Sequence, residues 1–329
     1  MRSVGDELKE SYGGKVYKLS LQTGCSCPVR DGSKGRGGCI FCGESGAGEF
    51  AESPVLPVTE QIRLAKAKVE AKMGKSPAGY IAYFQSFTNT YGDFDKLRSM
   101  FSEAISNPDI LILSIATRPD CISNEMYGLL GELNKIKPVW IELGLQTVHE
   151  DTAEFIRRGY SLEVYEEAAL RLKAEGVTVI THMIAGLPGE DRDRIMETAR
   201  YLAEAKDPEG RPLTDGIKIH LLYVLKGTEL GRLYEKYSEG CGDGTGEDML
   251  IPWGEKKLRW HIFSMEEYLE LITDILEILP ESMVIHRITG DAPKSLLLAP
   301  LWSGDKKRVL NAFTKRLKDK ESYQGKRRS

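Results

Sequence analysis

The chain has 329 residues, 41% hydrophobic and 29% charged, with a formal net charge of −4. That is enough for one large α/β domain with a substantial core, and a charge so near balance excludes a general nucleic-acid-coating protein. The opening Met1-Arg-Ser-Val-Gly-Asp6 holds no apolar signal core, and no apolar run approaches the ~20 residues of a membrane span. A cytoplasmic protein without a membrane partner is expected, in a compartment where free thiols persist and disulfides are rare.

The first predicted strand runs from Val16 to Leu21 and leads into Cys25-Ser-Cys27-Pro-Val-Arg-Asp-Gly-Ser-Lys-Gly-Arg-Gly-Gly-Cys39-Ile-Phe-Cys42. Four thiols among glycines and basic residues make this a metal-cluster loop. One tight turn can aim Cys39 and Cys42 at one centre, Cys27 can close the set, and Gly35, Gly37 and Gly38 let the backbone wrap closely. Three thiolates on a four-iron cluster leave one iron open to a ligand that can be reduced there, which is a catalytic arrangement rather than an electron-carrying one. A zinc site of Cys25, Cys27, Cys39 and Cys42 is the alternative, although zinc ribbons pair C-x2-C with C-x2-C and the one-residue spacing of Cys25 and Cys27 is strained for chelation. Cys121 and Cys241 read as plain cysteines.

Further strands are predicted from Tyr80 to Phe84, Ile110 to Ile115, Val139 to Leu145, Val177 to Ile184 and Gly216 to Val224. Helical patterns from Val58 to Met73, Phe94 to Ser106, Ser123 to Ile136, Ser161 to Ala174 and Gly189 to Ala205 separate them. Six strands spaced by helices predict parallel βα units with right-handed crossovers, hence a partial (βα)6 barrel whose active site lies at the C-terminal strand ends. On the fourth strand Glu142, Gly144 and Gln146 alternate onto one face. On the sixth, Lys218 and His220 share a face and Tyr223 falls on the other, so the three are not expected to line the barrel together.

Beyond the sixth strand, Gly240 to Gly246 reads as a flexible loop, either a lid over the barrel mouth or a surface excursion. Met265 to Leu279 has the spacing of a core-facing helix, and Met283 to Ile288 that of a short strand. Residues 305–329 hold ten Lys or Arg against three acids. This basic tail is expected to be a solvated, partly disordered end, with contact to phosphates as the alternative. The division that follows is a barrel over 1–240 including the cluster loop 25–42, a C-terminal helical extension over 241–304, and the tail.

The cysteine loop followed by these strands resembles the radical S-adenosylmethionine (SAM) superfamily, and within it the radical domain of the Elongator catalytic subunit. Cys27-Pro to Cys42, Thr117-Arg-Pro-Asp120, Ile141-Glu-Leu-Gly-Leu-Gln146 with Arg157-Arg-Gly159, and His182-Met-Ile-Ala-Gly-Leu-Pro-Gly189 carry the likeness. With Arg287-Ile-Thr-Gly-Asp-Ala-Pro-Lys294 the whole is similar to a stand-alone, Elongator-like family of bacteria and archaea. The resemblance implies a [4Fe–4S] cluster on Cys27, Cys39 and Cys42, with Cys25 the competitor for the first position. It also implies SAM at the open iron, an electron that breaks the S–C5′ bond, and a 5′-deoxyadenosyl radical that abstracts hydrogen from substrate.

By the same resemblance Phe41 lies near the adenine, and Gln85 and Ser86 occupy the strand end where the superfamily has a Gly-Gly-Glu type motif; Tyr83-Phe-Gln-Ser86 departs from it. Glu142, Gln146, His182 and Gly186 complete the expected cofactor contacts. Arg158 either pairs with the SAM carboxylate or is a surface arginine, and His182 contacts the ribose or is a hydrogen-bonded core residue. Lys218, His220 and Arg118 are candidate substrate groups, Arg118 alternatively bracing Asp120. Elongator modifies the wobble uridine of transfer RNA with a second, acetyltransferase-like domain, for which this chain is too short. A different radical step on a wobble-uridine side chain is therefore expected, with an external electron donor of flavodoxin or ferredoxin type. A small metabolite or peptide substrate is the first rival, and a non-catalytic zinc or iron–sulfur protein the second.

Overall fold

The computed structural model describes residues 1–43, 46, 51–72, 76–238, 245–290 and 292–328. Cys241 and most of the loop read as a lid lie outside the described residues. In chain order the elements are α1 (Val4–Tyr12), β1 (Val16–Leu21), α2 (Val58–Glu70), β2 (Gly79–Phe84), α3 (Phe94–Ser106), β3 (Ile110–Thr117), α4 (Asn124–Asn134), β4 (Val139–Gln146), α5 (Glu150–Phe155), α6 (Leu162–Ala174) and β5 (Thr178–Ala185). There follow α7 (Arg192–Glu204), β6 (Gly216–Leu221), β7 (Val224–Leu225), α8 (Glu229–Tyr237), β8 (Glu247–Trp253), β9 (Lys256–Ile262), α9 (Met265–Ile278), β10 (Val284–Arg287), β11 (Leu297–Ala299) and α10 (Lys306–Asp319).

Several helix starts are written in the sequence as caps. Side chains of Asp93, Ser123 and Asp191 accept from the backbone N–H of Lys96, Met126 and Arg194, and Ser264 with Glu267 forms a reciprocal capping box on α9. The strands form one parallel sheet in the order β1-β2-β3-β4-β5-β6-β10. It curls, because Lys18 of β1 and Lys218 of β6 both reach the same Glu142 of β4. Alternation then sorts the side chains. Leu19, Ala82, Leu113, Ile141, Val179 and Ile217 face outward into the core beneath the helices, while the inward positions climb in tiers of i, i+2 and i+4. Ile81, Ile112, Trp140 and Ile180 make the bottom tier, closed from below by Leu8 of α1. Tyr83, Ser114, Glu142, His182 and Lys218 form the middle one. Gln85, Ala116, Gly144 and His220 open upward.

The sheet has seven strands where six were expected. The seventh, β10, pairs parallel with β6 through Val284↔Gly216 and Ile285↔Ile217, so it extends the barrel and does not belong to a separate extension. That extension is also not purely helical. β8 and β9 form an antiparallel hairpin that buries Met249, Ile251, Trp260 and Ile262 at alternate positions, and β7 pairs with β11. No helix of the described residues is long and apolar enough to cross a membrane.

The tail is folded. Val309 and Phe313 of α10 are buried in the main core, and burial of a Phe side chain stabilises by roughly 2–3 kcal/mol. Arg316 pairs with Glu266 and Glu270 of α9, and Arg327 with Asp274 and Glu277. Gln324 is buried, donates to the carbonyls of Pro280 and Met283 at 2.7 Å each, and accepts from the backbone N–H of Arg2 at 2.8 Å. An apolar pair four residues apart and a facing acidic helix overcome the self-repulsion that a run of ten cations implies.

Candidate active site

The C-terminal strand ends surround a cavity of about 360 Å³. Cys27, Cys39 and Cys42 line it as neighbours, with Arg118 and Tyr160 near Cys39, and Phe41, Gln85, Thr88, Gln146, His182, His220, Tyr223 and Arg287 also line it. The cysteine loop is held in place by its backbone. Cys27 C=O accepts from Arg30 N–H at 2.8 Å, Cys42 N–H donates to Cys39 C=O at 3.0 Å, and Ile40 bridges Ile156 and Leu230 by its N–H and C=O. Arg30 donates from its guanidinium to the carbonyls of Cys42 and Gly43 and stacks over Phe87 at 5.3 Å.

Cys25 turns away from the cavity. It packs against the main core, its Sγ lying 2.8 Å from where a Cβ on Gly92 would stand. Cys27, Cys39 and Cys42 line the cavity and Cys25 does not, so the four thiols do not share one site. Three thiols lining one cavity suit a polynuclear cluster. Burial pushes the Cys39 thiol up to about 12, Cys42 and Cys27 add to this, and the cations of Arg118 and Arg30 oppose it. Such a donor set lacks a positive centre, which iron provides.

The Arg118 guanidinium forks onto Asp120 through Nε at 2.9 Å and Nη2 at 3.0 Å, and Lys34 of the cysteine loop joins the same carboxylate at 2.7 Å. It therefore braces Asp120 and at the same time walls the cavity, its charge 4.8 Å from the Tyr160 ring centre. Arg158 is 1% exposed, which removes the surface reading. Its guanidinium donates to the carbonyls of Leu145, Thr147 and Tyr160 and to Glu150, so the protein already occupies four of its donor directions.

Glu142 is the anchor of the floor. One carboxylate oxygen accepts from Lys18 at 2.7 Å and Ser114 at 3.1 Å, the other from Lys218 and from His182 at 3.1 Å. Burial alone would raise its pKa, but Lys18 and Lys218 overturn that and hold it well below the usual carboxylate range. Burial, aided by the charge on Lys218, lowers His182 to about 4, so the ring presented to the cavity is neutral. Lys218 itself lies under the floor, bonded to Glu142 and to Tyr83 Oη at 3.1 Å.

Tyr223 lines the cavity together with His220, contrary to the alternation argument. β6 ends at Leu221, and beyond it the two-residue rule no longer applies. Gly186 sits at φ +96°; a Cβ there would stand 3.5 Å from the Phe263 ring, and Trp260 Nε1 donates to its carbonyl at 3.1 Å. The space that this glycine leaves is thus taken by the hairpin side. Ser86 is buried outside the cavity. Thr88 Oγ1 and His220 Nε2 are buried polar atoms with no partner among the described residues, and both residues line the cavity. A polar ligand can satisfy them. Thr88, Tyr160, Phe87 and Arg287 were not singled out as cavity residues from the sequence; Tyr160, directly after Arg157-Arg-Gly159, had the clearest signal.

Comparison with known proteins shows the family of the chain. The family model described as Radical SAM superfamily matches residues 32–202, and that described as Radical_SAM C-terminal domain matches 253–319. The chain belongs to the radical SAM superfamily and is an enzyme of that class, of the Elongator-like kind. It is 41% identical over 319 residues to the uncharacterized protein YtqA of Bacillus subtilis, covering 97% of this chain and 90% of the relative. It is 29% identical over 187 residues to a tRNA uridine(34) acetyltransferase of Methanocaldococcus jannaschii, covering 56% of this chain and 29% of that protein. The structure of Elp3 from Methanocaldococcus infernus superposes with a TM-score of 0.63 at 18% identity, over 94% of this chain and 64% of that one, and so shares the fold.

Proposed function

We propose that this chain is a cytoplasmic enzyme that binds SAM and a [4Fe–4S] cluster, cleaves SAM reductively, and uses the resulting radical on a wobble-uridine side chain of transfer RNA. The presence of Cys27, Cys39 and Cys42 together in the cavity wall, with Cys25 turned away, carries the reading. When bound, the cluster supplies an open iron and the electron that breaks the S–C5′ bond. The chain's own residues do the rest. Phe41, Gln85 and Gln146 line the same cavity as the thiols and contact SAM; neutral His182, fixed by Glu142, offers one ring nitrogen to the ribose; Arg118 places a positive charge beside the thiols. Arg158 acts by holding the Leu145 to Tyr160 turn. Thr88 and His220, each with an unsatisfied polar atom, bind the nucleoside or the substrate. An external flavodoxin- or ferredoxin-type protein delivers the electron. A uridine target is supported by likeness to the uridine(34) acetyltransferase over 187 residues.

The test is anaerobic reconstitution with iron and sulfide, then dithionite and SAM, with 5′-deoxyadenosine measured by mass spectrometry. Cys39→Ala and Cys42→Ala should lose both product and visible cluster absorption, and Cys25→Ala should keep both. A colourless Cys25→Ala protein would overturn the ligand assignment. Wobble-nucleoside profiles unchanged on deleting the gene would redirect the search to a small metabolite or peptide.

A further inference from the structure

Among the ten cations of residues 305–329 the fold sets two groups apart. Arg316 and Arg327 face the acids of α9 and are neutralised there. Lys307, Arg308, Lys315 and Lys318 are exposed and make no ion pair among the described residues. At about 100° per residue these four fall within about 100° of arc on α10, opposite Val309 and Phe313. Asn311 shares that arc, Thr314 and Asp319 border it about 20° beyond either edge, and no apolar side chain falls within it.

The chain leads from the cavity wall to this helix. Arg287, Gly290 and Pro293 line the wall. The exposed Lys294 then rests against Gly304, next to the Asp305 cap of α10. Lys294 thus stands between the cavity wall and the start of α10. A ligand that fills a recessed cavity and also meets four separated cations is a flexible polyanion. A membrane surface would need apolar side chains on the same face, and the arc has none.

We propose that the outer face of α10 carries the sugar–phosphate backbone of the RNA whose nucleoside enters the cavity. This rests on the RNA reading above and deepens it by naming the surface. Each lysine or arginine contact releases counterions, so the face supplies salt-sensitive affinity while the cavity supplies selection.

The test is binding of fluorescently labelled, unmodified transfer RNA to the reconstituted protein by anisotropy between low and moderate salt. Four contacts predict that K307E/R308E/K315E/K318E loses on the order of 100-fold in affinity and flattens the log–log salt slope by about 3. The milder K307Q/R308Q/K315Q/K318Q should lose part of this, with SAM binding and thermal unfolding unchanged. Reversal at Lys9 and Lys135, outside α10, should leave affinity as it is. Wild-type affinity in the quadruple variants overturns the assignment to α10 and leaves the RNA reading standing. Absence of salt-dependent transfer RNA binding by the wild type overturns both. Loss of binding to phosphatidylserine vesicles in the variants, with RNA binding intact, makes the face a membrane contact and overturns the proposal.

Discussion

Nε2 of His182 on β5 lies 3.1 Å from Oε2 of Glu142 on β4, so a ring lining the cavity is tied to the charge buried beneath it. Glu142 also holds Lys18 and Lys218. Glu142→Gln keeps the shape and removes the carboxylate shared by partly exposed Lys18 and buried Lys218. Breaking a buried pair this way costs about 3–5 kcal/mol. Urea unfolding should show a loss of that order, and SAM binding should weaken as His182 loses its acceptor. Unchanged stability would mean that the lysines are compensated elsewhere.

Gly38 sits at φ +77°, and a Cβ there would stand 2.8 Å from Nε and 2.9 Å from Cγ of Arg30. Arg30 holds the carbonyls of Cys42 and Gly43. Gly38→Ala therefore strains the backbone by about 1 kcal/mol and displaces the arginine that fixes the third thiol. Iron bound per chain after reconstitution should fall well below wild type while the circular dichroism of the barrel is kept. Full iron loading would show that Arg30 does not position the loop.

Glu190, after β5, is buried and accepts a hydrogen bond from Thr147. Burial raises its pKa from 4.5 to about 7, against the Thr147 hydroxyl and Arg194. The folded state thus binds the proton more tightly than the unfolded one. Its contribution to stability is complete below pH 4.5 and is lost as pH rises through 7. The displacement corresponds to about 3 kcal/mol. Unfolding free energy measured between pH 5 and 8 should fall in the wild type and slope less in Glu190→Gln. Parallel curves would assign the pH dependence to other groups.

Phe313→Ala removes the largest apolar anchor of α10 and should cost about 3–4 kcal/mol by urea unfolding. A loss near zero would be the behaviour of the solvated tail that composition suggests.

The βα alternation was legible because each strand is a short apolar run and many helices carry a side-chain cap; α3 matches its expected bounds from Phe94 to Ser106. α1 left little signal, since Leu8 alone among its nine residues is buried. Alternate burial at Met249 and Ile251 was available in the hairpin, but a glycine-rich stretch before it read as loop. In the site, the face shared by Glu142, Gly144 and Gln146 followed from alternation, whereas Lys18 did not. It meets Glu142 across 124 positions, and local spacing cannot report a contact that only the curl of the sheet creates. The tail misled because composition counts charges and ignores the acids of α9 that face them.

Gln324 bonds to the backbone of Arg2 across 322 positions, and Ser3 bridges to Ile285. On the ribosome these partners are separated by nearly the whole of translation. The cysteines leave the exit tunnel early, yet the strand and the loop that wall their cavity, β10 and Pro293, are made near the finish. Thiols that later share one enclosed cavity therefore spend synthesis exposed and unshielded. The cavity that encloses them is complete only when the chain is near full length.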